Sequence, residues 1–215
     1  MPPTAAFYFD LASPLAYLAA ERILHVLPGP AEWRPIYARE LPDAERFDAF
    51  RGAEERDAFR AEIDGRARAL DLQPLRWPEP FPFDSSLAMR VATYAASIGR
   101  AVPFAQAAFR QAFAGGHSLE DPDFVLIAAA ACEMHPTAVL RGAEMRATAE
   151  RLATSTASAA GAAVTDVPAI VVGERVFVGE DAPERAAAHM RGGAADTPGE
   201  RLDVWVSGQT GATSR

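Results

Sequence analysis

The sequence predicts an α/β fold whose sheet is assembled from both ends of the chain. Two stretches carry this reading. "FYFDLASPLAYLAAERI", residues 7–23, reads as a buried strand, a turn and an amphipathic helix. "VPAIVVGERVFVGEDAP", residues 167–183, reads as two short strands joined by a tight turn and followed by a helix start. Everything between about 41 and 161 has helical rather than strand periodicity, so the two ends form one sheet with an all-α block inserted between them.

The elements follow in order. Ala5–Asp10 is apolar and aromatic, as a strand buried on both faces should be. Ala12–Leu27 places Leu15, Leu18, Ala19, Ile23 and Val26 on one helical face, and Pro28-Gly29-Pro30 stops it. Glu32–Tyr37 alternates as a second strand, so the first forty residues give a β–α–β unit with parallel strands and a right-handed crossover. Helices are expected over Arg56–Asp71, Ser86–Ile98, Val102–Ala114 and Asp121–Met134, the last capped by its Asp, with one long or two short helices over Pro136–Ala160. "LQPLRWPEPFPFDSS", 72–86, carries too many prolines for regular structure. Ala169–Val172, a Gly173-Glu174 turn and Arg175–Val178 form a hairpin, and Pro183–Arg191 a closing helix.

This order, βαβ…ββα with an all-α insertion, is that of a thioredoxin-like fold. The expected domains are a split thioredoxin-like domain, 1–40 and 162–192, a helical insertion domain, 41–161, and a poorly ordered C-terminal tail, 193–215.

Composition narrows the function classes. A net charge of −8 argues against nucleic acid or an anionic membrane as partner. All 21 basic residues are arginine, a bias that GC-rich bacterial coding favours. The single cysteine, Cys132, rules out an intrachain disulfide or dithiol chemistry and reads as a small buried hydrophobe. His25, His117, His135 and His189 are scattered without metal-ligand spacing, so no metal is expected. No charged-then-apolar leader precedes Phe7, and no apolar run approaches the ~18 residues of a membrane span; a cytoplasmic protein is expected.

Three places invite chemistry. Ser13, with Pro14 in the first turn, stands at a helix N-terminus, where unpaired N–H groups and the positive dipole end stabilise an anion; a plain N-cap explains it equally well. Val167-Pro168 precedes a strand. In a thioredoxin-like fold that bond is cis and faces the first helix, and Val167 could offer its backbone N–H and C=O to an extended ligand; an edge-strand proline without a ligand is the plainer reading. Glu180-Asp181 could hold an ammonium group, cap the last helix, or form a solvated acidic turn.

"FYFDLASPLAYLA", "FPFDSSLAMR" and "TDVPAIVVGERVFVGED" together resemble 2-hydroxychromene-2-carboxylate isomerase and the kappa-class glutathione transferases, in the DsbA-like branch of the thioredoxin superfamily. The resemblance runs over residues 5–190. It implies glutathione as the cofactor, with Ser13 catalytic, holding the glutathione sulfur. It implies Val167 and Pro168 on the glutathione backbone, and Gly179, Glu180 and Asp181 at the γ-glutamyl ammonium. In such isomerases the glutathione thiolate adds to a conjugated ring, bond rotation follows, and expulsion of the thiol gives the open-chain isomer.

Four departures from the family pattern stand out. Leu15 and Ala16 replace an aromatic residue and a serine. Ala182 and Pro183 follow the acidic Asp where an Arg is usual. Arg56 is the nearest counterpart of a family lysine on a glutathione carboxylate, and Asp84 replaces an Asn. Trp77, Phe81 and Asp84 are candidates for lining an aromatic-substrate pocket, although Trp77, Phe81 and Phe83 serve equally as packing for the connector. The expected partner is a small aromatic or hydrophobic electrophile, and the resemblance leaves a homodimer open. The reading from another class is a redox-inactive DsbA-like binding module that uses the cis-proline groove without turnover.

Overall fold

A computed structural model describes residues 4–42, 50 and 52–192; the tail expected at 193–215 lies outside them. Its elements run β1 Ala5–Phe9, α1 Pro14–Val26, β2 Ala31–Pro35, a 3₁₀ turn Ala38–Glu40, and then α2 Ala53–Ala69, α3 Ser86–Ser97, α4 Ala101–Phe113, α5 Pro122–Ala130, α6 Pro136–Glu144 and α7 Arg146–Gly161. The chain closes with β3 Ala169–Val172, β4 Arg175–Val178 and α8 Ala182–Met190.

The four strands form one sheet in the order β2-β1-β3-β4. β1 and β2 are parallel, with Phe7 opposite Trp33, and β3 runs antiparallel to both β1 and β4. The β3–β4 hairpin turns at Gly173, whose φ of +61° lies in the left-handed region that only glycine enters freely.

Alternation along the strands sorts side chains onto two faces. Phe7, Phe9, Trp33, Ile170 and Val172 join a large core with residues of α1, α3, α4 and α8. Ala6, Tyr8, Ala169 and Val167 join a smaller core closed by Ala159 of α7 and Val164. Covered on both faces, all five β1 residues are buried, which is why that segment carries no polar residue until Asp10. Tyr17 of α1 stacks on Phe113 of α4 with ring centres 5.6 Å apart, and Phe109 of α4 meets Phe9 of β1 at 5.8 Å. Sheet and helical block therefore share one continuous core. Each such fully buried ring contributes about 1.5–3 kcal/mol of transfer free energy.

The structure departs from the sequence reading at a few boundaries. The 136–160 stretch is two helices, broken at Met145, whose ψ of 132° is extended. The Thr148 hydroxyl donates to the Gly142 carbonyl across that break at 2.6 Å. α5 ends at Ala130 rather than Met134. The 3₁₀ turn Ala38–Glu40 has too few residues to show a period and was not anticipated. The Pro-rich connector has no regular structure, and two of its X-Pro bonds, Glu79–Pro80 and Phe81–Pro82, are cis.

Candidate functional site

Ser13 is the N-cap of α1. Its Oγ accepts the N–H of Ala16 at 3.1 Å, satisfying one donor that the helix start leaves open. The same hydroxyl donates its proton to the carbonyl oxygen of Val167 at 3.4 Å. Pro14 has no N–H, and the N–H of Leu15 meets no hydrogen-bond acceptor among the described residues. A buried hydroxyl and a vacant helix N–H thus stand side by side at the positive end of the helix dipole.

The Val167–Pro168 bond is cis, as the thioredoxin-like reading expects. Pro168 is buried, and its carbonyl accepts the N–H of Gly179 at 3.0 Å, tying the acidic turn to the cis-proline strand. Both main-chain polar groups of Val167 are engaged within the chain: its carbonyl by Ser13, and its N–H by the Asp166 carboxylate at 2.7 Å.

A pocket of about 100 Å³ gathers Ser13, Pro14 and Leu15 at the mouth of α1 with Asp166 and Val167, Arg39, Ser85, and an aromatic side formed by Phe50, Phe59 and Phe81. Larger, more open hollows lie elsewhere, away from this helix mouth. Phe59 and Phe81 stack 6.2 Å apart at 15°, and Trp77 meets Phe81 edge-on at 4.9 Å. Trp77 is not part of the pocket lining. It backs the aromatic wall, with its indole N–H donating to Asp64 at 3.3 Å and the Arg60 guanidinium over its ring at 5.4 Å.

Asp10 also lines the pocket, only 2% exposed. One carboxylate oxygen accepts the Ala12 N–H and the other the Ala38 N–H, both at 2.9 Å, and the Ser85 hydroxyl also bonds it. Asp10 therefore ties together the entry to α1, the 3₁₀ turn that carries Arg39, and the start of α3. Burial pushes its pKa above the usual carboxylate value, against the lowering effect of those hydrogen bonds and of Arg39.

Of the residues singled out from sequence, Ser13, Val167 and Phe81 meet in this pocket. Asp84 stands beside it rather than in its lining. Its carboxylate accepts the Ser86 N–H at 2.9 Å and the Tyr37 hydroxyl at 3.1 Å. Burial works against its charge, but the Ser86 and Tyr37 bonds outweigh this and hold it below the ordinary value. Tyr37 moves the other way, to about 12, from burial and the adjacent carboxylate. Arg56 lies in the first turn of α2, its guanidinium on the neighbouring Asp57 at 3.4 Å, and does not line the pocket.

The acidic turn is also engaged. The Glu180 carboxylate pairs with Arg66 of α2, which also holds Glu62, while Arg22 of α1 donates to the Glu180 carbonyl and pairs with Glu184. Asp181 occupies the N-cap position of α8, yet its side chain makes no cap hydrogen bond and turns instead to Arg185 at 3.2 Å.

Asp10, Arg39, Phe50, Phe59, Ser85 and Asp166 were not anticipated from sequence. A charged residue closing an otherwise apolar strand was the available signal for Asp10, and a carboxylate two residues before a cis-proline was that for Asp166. Nothing marked Arg39. Three of the four histidines make packing or capping contacts: His135 caps α6 by accepting the Thr137 N–H, His117 stacks on Phe124, and His189 meets Phe177. Cys132 is buried, its thiol donating to the Ala128 carbonyl. Among the described residues no cluster of three or more metal-ligating side chains occurs, and no helix is long and apolar enough to cross a membrane.

Comparison with solved structures finds the same architecture in a 2-hydroxychromene-2-carboxylate isomerase: 19% identity, 83% of this chain and 89% of that one covered, TM-score 0.70. A probable DsbA oxidoreductase from Streptomyces coelicolor is similar at 16% identity, with 91% and 92% covered and a TM-score of 0.68. The cytosolic disulfide reductase DsbM from Pseudomonas aeruginosa, solved with GSH, is similar at 12% identity, with 81% and 88% covered and a TM-score of 0.56. No curated protein matches the sequence significantly. The family model of the DSBA-like thioredoxin domain matches residues 4–191, nearly the whole described chain, and the protein belongs to that family.

Proposed function

We propose that the protein is a glutathione-dependent isomerase or kappa-type transferase acting on an aromatic or hydrophobic electrophile. The observation that carries this reading is the pairing of the Ser13 hydroxyl with the vacant Leu15 N–H at the α1 N-terminus, inside a pocket with an aromatic side. The group fits the residues present: two donors stand where an anionic sulfur would be favoured, and no protein cysteine supplies that sulfur, because Cys132 is buried elsewhere. Two of the similar structures, the isomerase and the GSH-bound reductase, are consistent with it.

In this reading glutathione supplies the nucleophilic sulfur. Ser13 gives up its 3.4 Å bond to Val167 and donates to that sulfur, lowering its pKa together with Leu15 N–H and the helix dipole. Phe59 and Phe81 hold the flat face of the electrophile and exclude water. Val167 and Pro168 hold the thiol ligand's main chain, Glu180 and Asp181 its ammonium, and Arg56 a carboxylate.

Calorimetric titration with glutathione tests the proposal, and absence of binding at millimolar concentration overturns it. A second reading, a redox-inactive binding module, is favoured by one observation: the Val167 N–H and the Glu180 carboxylate, both assigned to the ligand, are already paired within the chain. It predicts that Ser13→Ala leaves cellular function intact.

A further inference from the structure

We propose that Asp166 is a specificity-determining residue: its carboxylate occupies the backbone donor that a peptide-like thiol ligand must use on the cis-proline strand. The inference rests on the reading of this pocket as a thiol-ligand site. Val167 is buried, so its N–H has to find an acceptor. It finds one in the side chain of the residue just before it, at 2.7 Å, within the range of charge-assisted bonds. Asp166 also lines the pocket that contains Ser13, so the acceptor stands at the place where a ligand carbonyl would approach.

Competition at this donor is uneven. The Asp166 side chain is tethered one residue away and meets the N–H without loss of translational freedom, whereas an incoming ligand carbonyl is neutral and loses that freedom on binding. Glutathione, whose cysteinyl carbonyl would take the Val167 N–H, has to displace a carboxylate first. Asp166 and the buried Asp10 also place carboxylates around the pocket, against the single guanidinium of Arg39 in its described lining. The consequence is a site biased against ligands that add an extended main chain to this strand. A thiol anchored through its sulfur and its ends is penalised less.

Calorimetry with glutathione on the wild type, Asp166→Ala and Asp166→Asn tests this. Removing the internal acceptor should tighten glutathione binding about three- to tenfold, the worth of one net hydrogen bond. Asp166→Asn keeps an amide oxygen able to accept from Val167 N–H, so it should recover a smaller part. Equal affinity in the wild type and Asp166→Ala overturns the inference while leaving the glutathione reading standing. A gain in Asp166→Asn as large as in Asp166→Ala also overturns it, because charge alone would then explain the effect. Absence of binding in all three proteins overturns both. The amide resonance of Val167 gives a readout without ligand: it should move in each variant, and an unmoved signal overturns the inference. If Asp166→Ala does not fold, Asp166→Asn decides the matter by affinity and amide shift together.

Discussion

The Ser13 hydroxyl donates to the carbonyl of Val167 at 3.4 Å, joining residues 154 positions apart. The same oxygen caps α1 by accepting the Ala16 N–H, so capping and the proposed catalytic role draw on one group. Two substitutions separate them. Ser13→Gly should cost only a few tenths of a kcal/mol of stability and Ser13→Ala about 1 kcal/mol, since glycine is tolerated at an N-cap. Both remove the hydroxyl proposed to meet the ligand sulfur, so both should lower glutathione-dependent turnover by at least about tenfold. Steady-state kinetics with a chromogenic aryl halide, alongside thermal melts, checks this. Activity that follows stability rather than the hydroxyl would reduce Ser13 to a cap.

Asp10→Asn addresses the knot of hydrogen bonds at the pocket wall. Both carboxylate oxygens accept backbone N–H groups, so the amide NH₂ of asparagine has to face a donor at one of them. Loss of that acceptor should destabilise the fold by about 1–3 kcal/mol. The pH dependence has a defined sign. Burial raises the pKa of Asp10 in the folded state, so the native protein holds the proton more tightly than the unfolded chain does. The associated stability is full below the ordinary carboxylate value of 3.8 and is lost as pH rises through the raised folded value. The gap between wild type and Asp10→Asn should therefore be wider at low pH than at neutrality. Urea unfolding of both proteins across that range measures it, and a gap that widens with pH contradicts the assignment.

How much of this was legible in the sequence varies with how local each signal is. The β1–α1 unit, the 169–178 hairpin and the Pro-rich connector were readable because apolar period, Gly173 and proline density act within a few residues. Ser13 as a cap is readable for the same reason, whereas the cis bond before Pro168 follows from the thioredoxin-like fold and not from its neighbours. The partners of Glu180 were not: Arg66 and Arg22 reach it from α2 and α1, and no spacing in the chain announces such a meeting. The place of Asp166 before the cis-proline is a sequence signal, but its bond to the main-chain N–H of Val167 has no sequence signature. Arg39 comes from a turn too short to show a period.

Arg66→Ala tests what the acidic turn is for. Arg66 and Glu180 are mostly buried, with side-chain exposures of 18% and 24%, so their pair exceeds the least of surface ion pairs, and its loss should cost about 1 kcal/mol. If Glu180 receives the γ-glutamyl ammonium, freeing its carboxylate should lower KM for glutathione while kcat stays level. A raised KM would instead place Arg66 itself on a ligand carboxylate. Kinetics at varied glutathione and saturating electrophile distinguish the two.

Phe81→Ala separates the electrophile from the thiol ligand. Phe81 stacks on Phe59 at 6.2 Å and lines the pocket, while Trp77, which meets it edge-on, lies behind. Truncation removes the ring from the face that the aromatic substrate would cover, and such ring pairs are worth about 0.5–1.5 kcal/mol beyond area burial. KM for the electrophile should rise by about three- to tenfold. Glutathione affinity should stay within twofold of the wild type, because the ring is not among the groups assigned to that ligand. Phe81→Leu retains most of the buried area without the ring face, and should fall between the two. A loss confined to glutathione binding, with the electrophile unaffected, would move the aromatic wall out of the substrate site and leave it as packing for the connector.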